Sequence, residues 1–362
     1  MLKDKSQEVL LVVFALIVFG LIQVYSSSFI FAHEKFGDGL YFFKRQMVFA
    51  AVGFVAMIAL WRAPSRWIEV LGIYLAPLAI IALFLTIVPG IGIKVGGSTR
   101  WLPGLMGVRI EPCEIYKVAL PFLLAIFFAY DQERLGRWKW VVRSLTIILP
   151  LVIFMRQPDF GSFTMCILVI ATVIFVFGFP WKYLAASGVL AMPLFYFLVM
   201  SVPYRKARLM TFIDPWQDPN GKGFQVIQSM LTFNSGGLFG AGLGDGQGKL
   251  FFLPEAHTDF TLAVLGEELG FLGFFTLMLA YGYLVIRGLQ VAHRVESLFF
   301  KVLSLGLVVC FAYSVMINTG VVLGLLPTKG LTLPFLSYGG ASLVMSCVLF
   351  GILLNIQRQC RT

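Results

Sequence analysis

Charge is scarce in this chain. Asp, Glu, Lys and Arg make up only 13% of its 362 residues while 59% are hydrophobic, whereas a soluble domain carries about 25% charged and about 45–50% apolar residues. That shortage excludes a surface covered by water, so the solvent of this chain is lipid. Histidine occurs three times, and the five cysteines, Cys113, Cys166, Cys310, Cys347 and Cys360, show no CxxC spacing. Neither a disulfide framework nor a zinc site is written in such a pattern. There is no repeat, no low-complexity tract and no separate soluble domain, and no nucleic-acid partner is expected.

What the chain has instead is a series of apolar runs. Crossing a hydrocarbon core takes about 20 apolar residues, within a range of roughly 17–25. About ten such runs lie at 9–25, 46–61, 68–88, 113–129, 141–155, 163–179, 185–202, 260–286, 299–324 and 335–356. The first follows Lys3 and Lys5 but is longer than the apolar region of a signal peptide and is followed by similar runs, so it reads as a retained helix. The 36 Phe residues suit side chains among acyl tails, with 12 Tyr and 7 Trp for the interfaces. The expected fold is all-α: a polytopic integral membrane protein of about ten transmembrane helices, forming a single domain over residues 1–362.

An even number of spans puts both termini on one side, together with the basic stretches 62–66, 134–143 and 287–294. Lys and Arg then divide 14 to 14 between the two sides. The orientation rule weighs short loops, and the connection 203–259 holds Arg205, Lys206, Arg208, Lys222 and Lys249; without it the division is 14 to 9, which places both termini in the cytoplasm. Arg137 is then cytoplasmic and Lys222 extracytoplasmic. Lys94, Arg100, Arg109, Arg156 and Lys329 remain outside against the rule, where they can meet either lipid phosphates or an anionic substrate.

The connection 203–259 is far longer than those between ordinarily packed helices, which marks it as a functional element. It contains a glycine-rich stretch, Gly236 to Gly246, and then Leu-Pro-Glu-Ala-His-Thr-Asp-Phe from Leu253 to Phe260. Asp259 stands at the mouth of the eighth helix with Glu255 and His257 close before it. A carboxylate there can cap the helix, but three titratable groups crowded at an interface favour catalysis. Glu267 and Glu268 lie inside the apolar run. Intramembrane acids are costly, so at least one is expected to face the bundle and meet a cation such as Lys117 or Arg156. In the third loop Trp101 can anchor at the headgroups while Arg100 meets a phosphate, and Glu114 and Lys117 have the spacing of an internal helix pair. In the last outer loop two prolines and three glycines bracket Lys329, an irregular backbone tolerated beside a membrane only where it is buried in protein or lines a cavity.

Five ordered segments, Gln157-Pro-Asp-Phe-Gly161, Gly236–Gly246, Pro254-Glu-Ala-His-Thr-Asp259, Gly266-Glu-Glu-Leu-Gly270 and Leu326–Gly340, resemble the SEDS family (shape, elongation, division and sporulation) over nearly the whole chain. The Leu-Pro-Thr-Lys-Gly-Leu-Thr-Leu-Pro and Leu-Pro-Glu-Ala-His-Thr-Asp-Phe runs are more similar to its division branch than to its elongation branch. Phe251 departs from the acid often found there in the division branch.

The resemblance implies a peptidoglycan glycosyltransferase that polymerises lipid II, the undecaprenyl-pyrophosphate-linked disaccharide pentapeptide, in septal wall synthesis. Asp259 carries over as the catalytic carboxylate in an inverting single displacement. Arg100, Lys117 and Lys329 are expected to bind the pyrophosphate, with Trp101, Glu255 and His257 completing the substrate site and room for a divalent cation, Mg or Mn, but no organic cofactor. The implied partners are a class B penicillin-binding protein and other divisome proteins, at the cytoplasmic membrane with the active site facing outward. An elongation polymerase, a lipid II flippase and a non-catalytic scaffold are the other readings.

Overall fold

A computed structural model describes residues 5–95, 98–104, 109–129, 137–178, 210–219, 221, 223–250, 253–328 and 330–360, with isolated positions between 182 and 200. The chain is built from long apolar helices: α1 (Ser6–Phe36), α2 (Tyr41–Arg62), α3 (Ser65–Thr86), α4 (Pro112–Ala129), α5 (Arg137–Arg156), α6 (Phe160–Val176), α7 (Phe224–Ser235), α8 (Thr261–Arg294), α9 (Leu298–Val322) and α10 (Gly340–Gln359). Seven of these, α1 to α4 and α8 to α10, are long and apolar enough to cross a membrane. Each predicted run coincides with a helix except 185–202, which falls largely outside the described residues, as do Lys222, Lys329 and the side chain of Arg137.

Helix ends follow local chemistry. Gly37 closes α1 in the left-handed region at φ 72 and returns its N–H to the His33 carbonyl, a conformation in which a Cβ is costly. Asp159 opens α6 by accepting from the Ser162 amide, the expected behaviour of an N-cap carboxylate.

The most enclosed helices are α4, α9 and α10, around which the others pack. α10 lies chiefly against α2, and α9 against α4 and α8. Tyr116, Phe122, Leu120 and Leu124 of α4 are fully buried in this centre. Many apolar side chains of α1 to α3 face outward, such as Leu11, Val55 and Tyr74, as helices bathed by acyl chains require.

Two departures from the all-α expectation matter for the site. The third loop is ordered as a small antiparallel sheet of β1 (Ile93–Val95), β2 (Ser98–Pro103) and β3 (Arg109–Ile110), with Ile93 opposite Trp101 and Leu102 opposite Ile110. The strands are short, and nothing in their composition separates them from a polar loop.

The second departure is inside α8. Gly270 has φ 65 and ψ −168, which breaks the helix. The two opened rungs, 271 to 267 and 272 to 268, are completed by the glycine-rich stretch: the Ala241 and Gly242 amides donate to the Glu267 and Glu268 carbonyls at 2.9 and 3.0 Å. The Phe271 and Leu272 amides donate to the Gly237 and Leu238 carbonyls at 2.9 and 3.2 Å. Within a bilayer each unpaired backbone group costs several kcal/mol, and here all four are paired. The close approach needs glycine: a Cβ on Gly270 would lie 2.4 Å from the Gly240 amide nitrogen, and one on Gly240 would lie 2.2 Å from the Glu268 carbonyl oxygen. At 1.5 Å per residue Gly270 is roughly 14 Å below the outer end of α8. Part of the connection 203–259 therefore folds back along α8 to this depth, with Leu238, Phe239 and Leu243 exposed and the Lys249 side chain reaching inward.

The acids beside this break find partners other than those expected. Glu268, fully buried, pairs with Lys249 at 2.7 Å and accepts from Ser26 of α1. Glu267 accepts from the Gln247 and Gly248 amides. Lys117 is held by Glu114, and Arg156 is exposed, so neither meets Glu267 or Glu268. The glycine-rich loop carries its own cation into the bundle, which removes the need for one from α4 or α5.

Candidate active site

Three segments distant in sequence meet at the same end of the bundle. β2 supplies Arg100, the loop before α8 supplies Asp259, and the loop after α9 supplies Gly330. A Cβ built on Gly330 would lie 2.9 Å from Arg100 Nη2 and 3.1 Å from Asp259 Oδ2. The guanidinium and the carboxylate therefore face one small space that glycine leaves open.

Asp259 sits one residue before the N-cap of α8, which is Phe260 and has no side-chain cap. The loop ahead of it turns at Glu255, whose φ is 55 and whose carbonyl accepts from the Thr258 and Asp259 amides at 3.1 and 3.2 Å. The Asp259 carbonyl accepts from Asn318 Nδ2 at 3.1 Å. Glu255 itself is exposed, with its carboxylate bonded to the Thr258 hydroxyl.

Arg100 stacks on Trp101, with 4.5 Å from Cζ to the ring centroid, and its Nε is buried without a hydrogen-bond partner. Burial alone would lower its pKa, but the neighbouring Glu111, Asp159, Cys113 and Asp259 together raise it, so the guanidinium stays charged. Asp159 is placed there by the Gln157-Pro-Asp turn, which is tied to β2 by the Ser98 hydroxyl donating to the Gln157 carbonyl. Burial, and then the Glu114 carboxylate, push Glu111 up to about 7. A line of charged groups thus runs from Asp259 through Arg100 to the neighbouring acids Glu111 and Glu114 and on to Lys117, whose Nζ is 2.5 Å from Glu114 Oε1. A narrow cleft between α4, α9 and α10 begins at this last pair and is lined further by Ser314, Thr332, Ser342 and Ser346.

His257 is not part of this line. Its ring packs at 4.5 Å from Phe42 and 5.3 Å from Phe31, and burial lowers its pKa. Its carbonyl accepts from the Tyr338 amide, so His257 ties the Asp259 loop to the last outer loop. Glu111, Asp159, Gly330 and Asn318 belong to the site although sequence reasoning assigned them no role in it. The Gln157-Pro-Asp motif was a signal for Asp159; a lone Asn within an apolar helix was the available signal for Asn318.

Among the described residues, one group could hold a metal ion: Glu111, Cys113 and Glu114. It does not suit a resident hard cation. Mg²⁺ and Mn²⁺ prefer oxygen ligands, one member here is a thiol, and Glu114 is already paired with Lys117.

The comparisons with known proteins agree across the whole chain. A family model described as a cell cycle protein of the FtsW, RodA and SpoVE type matches residues 7–362. A relative from Geobacter metallireducens, named a probable peptidoglycan glycosyltransferase FtsW, is 41% identical, with 96% of this chain and 93% of the relative covered. Stage V sporulation protein E of Bacillus subtilis is 39% identical, with 99% of each covered. A chain from a solved peptidoglycan synthase complex, described as coordinating polymerization and crosslinking, superposes with a TM-score of 0.77 at 27% identity, covering 98% of both chains. The rod shape determining protein RodA of Thermus thermophilus gives 0.69 at 26% identity, over 98% of this chain and 97% of that one. With a family model spanning nearly its full length and relatives about two-fifths identical, this chain belongs to the FtsW/RodA/SpoVE family, the SEDS proteins.

Proposed function

We propose that this protein is a peptidoglycan glycosyltransferase that polymerises lipid II on the extracytoplasmic face of the cytoplasmic membrane, with the septum as its setting. The observation that carries the reading is the meeting of the Asp259 carboxylate and the Arg100 guanidinium at Gly330: a base beside a cation, in loops at the mouth of a membrane bundle. The names borne by the relatives support the reaction, and the division-type motifs support the setting over cell elongation.

The reaction joins a sugar hydroxyl to an anomeric carbon that carries a pyrophosphate. Asp259 takes the proton from the acceptor C4 hydroxyl as its oxygen attacks C1 of the donor. The C1–O bond breaks, and the pyrophosphate leaves on its undecaprenyl chain with the bonding electrons. A single displacement inverts an α-linked donor to a β-linked product without a covalent enzyme intermediate. Arg100, planar, charged and rigidly stacked, suits the departing phosphates, and Lys329 is the second cation assigned to them. Lys117 is neutralised by Glu114 and orients that acid rather than contributing a free charge.

A class B penicillin-binding protein is the expected partner, and the synthase complex among the structural relatives supports one. The test is direct: purified protein, with and without that partner, is incubated with lipid II and the products are resolved for glycan strands. Polymer formed by wild type and not by D259N supports the reading. Transbilayer movement of lipid II without polymer would favour a flippase, and neither activity would favour a scaffold.

A further inference from the structure

The loop carrying Asp259 and the loop carrying Gly330 are held to the bundle by one side chain that the reaction itself does not require. Asn318 lies in the last turns of α9 and is 2% exposed. Its Nδ2 donates to the Asp259 carbonyl at 3.1 Å and to the Leu331 carbonyl at 2.6 Å. Both N–H groups of one amide are thus spent on two backbones, one belonging to the proposed base and one to the residue after Gly330. The Asp259 peptide unit is fixed on both sides: its N–H donates to Glu255 and its carbonyl is held by Asn318.

We infer that Asn318 is a positioning residue of the glycosyl transfer, setting the distance and angle between Asp259 and the Arg100–Gly330 side of the site. The bonding fixes the orientation of the amide, because a flipped Asn318 would set its oxygen against two carbonyl oxygens. The cost of the arrangement is visible: Asn318 Oδ1 is buried with no partner, and an unsatisfied buried acceptor is destabilising. An apolar side chain of similar volume would remove that oxygen but leave the Asp259 and Leu331 carbonyls unpaired, so the amide is kept for the two bonds it donates. Other ties reach the two loops, from Tyr281 to the Pro334 carbonyl and from Tyr338 to the His257 carbonyl. Neither of them reaches the Asp259 or Leu331 carbonyl, so losing Asn318 leaves both loops attached but removes the tie that joins these two backbones.

This inference rests on the proposed role of Asp259, and the experiment separates the two. N318A and the near-isosteric N318L are purified as full chains with the partner synthase and assayed with lipid II beside wild type and D259N. Thermal stability and partner binding are measured on the same samples. Misplacing a catalytic group by about 1 Å can cost on the order of 10²-fold in rate. The expected result is a kcat lower by about 10-fold to 10²-fold in both variants, with KM for lipid II and partner binding unchanged and both variants still folded at the assay temperature, their melting temperatures lowered only by the loss of two hydrogen bonds. Wild-type kcat in N318A and N318L while D259N is inactive would overturn the role of Asn318 and leave the base assignment standing. Wild-type activity of D259N would overturn both. A rate loss accounted for in both variants by protein unfolded at the assay temperature, or by lost partner binding, would show Asn318 to be a packing residue only and would also overturn the inference.

Discussion

Arg100 and Asp259 flank one gap, and the gap exists because residue 330 has no side chain: a methyl group there would stand 2.9 Å from the guanidinium and 3.1 Å from the carboxylate. Gly330 lies outside the left-handed region that only glycine favours, so G330A tests the space and not the backbone. The variant is expected to fold, bind its partner and lose on the order of 10²-fold in polymerisation rate as Arg100 is displaced. Full activity of G330A would mean that the reacting atoms lie elsewhere.

Asp259 precedes the N-cap of α8 instead of capping it, and this sharpens the test of its chemistry. D259N keeps the shape of the side chain and removes its basicity; the rate of glycan synthesis should fall by about 10²–10⁴-fold. E255Q, altering the exposed neighbour, should retain more activity. The reverse pattern in a lipid II polymerisation assay would move the base to Glu255.

Glu111 is held at about 7 by burial and by Glu114, so it changes charge near neutrality. Below that pH it is neutral and Arg100 is freer for phosphate; above it a carboxylate competes for the guanidinium. KM for lipid II should therefore rise between pH 6 and pH 8, roughly centred on the Glu111 pKa, and the rise should be absent in E111Q. The stability contribution of this raised acid is fully present below its ordinary value of 4.5 and is lost as pH rises through about 7. E111Q should accordingly gain melting temperature over wild type at pH 8 and not at pH 4.

Lys249 and Glu268 are both buried and pair at 2.7 Å, beside the backbone bonds that join the glycine-rich stretch to α8. Removing one member of such a pair costs about 3–5 kcal/mol because the other charge is left unpaired. K249M should lower the melting temperature of the purified protein by several degrees, and K249M/E268M should recover much of the loss. A single variant as stable as wild type would show that the pair is solvated.

Asp38, between α1 and α2, and Glu296, between α8 and α9, lie at opposite ends of the bundle under the orientation read from short-loop charges. A cysteine at position 38 should react with an impermeant thiol reagent added to intact spheroplasts, and one at 296 only after permeabilisation. The opposite labelling would invert the topology.

The apolar runs were legible because a bilayer imposes its demand locally: each span must be long enough and must satisfy its own backbone. Composition and run length therefore reported the membrane class and the helices, and the i, i+3 spacing reported the Glu114–Lys117 pair. The partner of Glu268 was not legible, since Lys249 reaches it from a loop that folds back along α8, and Lys117 and Arg156 were equally good candidates by composition. The small sheet that aims Arg100 was hidden for a related reason, being set by where β2 is held rather than by any pattern of its own. Asp259 could be named from its motif, while its geometry waited on Asn318, 59 positions later, and on Gly330. The sequence by itself determined what each segment is made of and that it lives in lipid. Which segments touch was decided by the tertiary structure alone, because a hydrogen bond between residues far apart in the chain leaves no periodicity behind it.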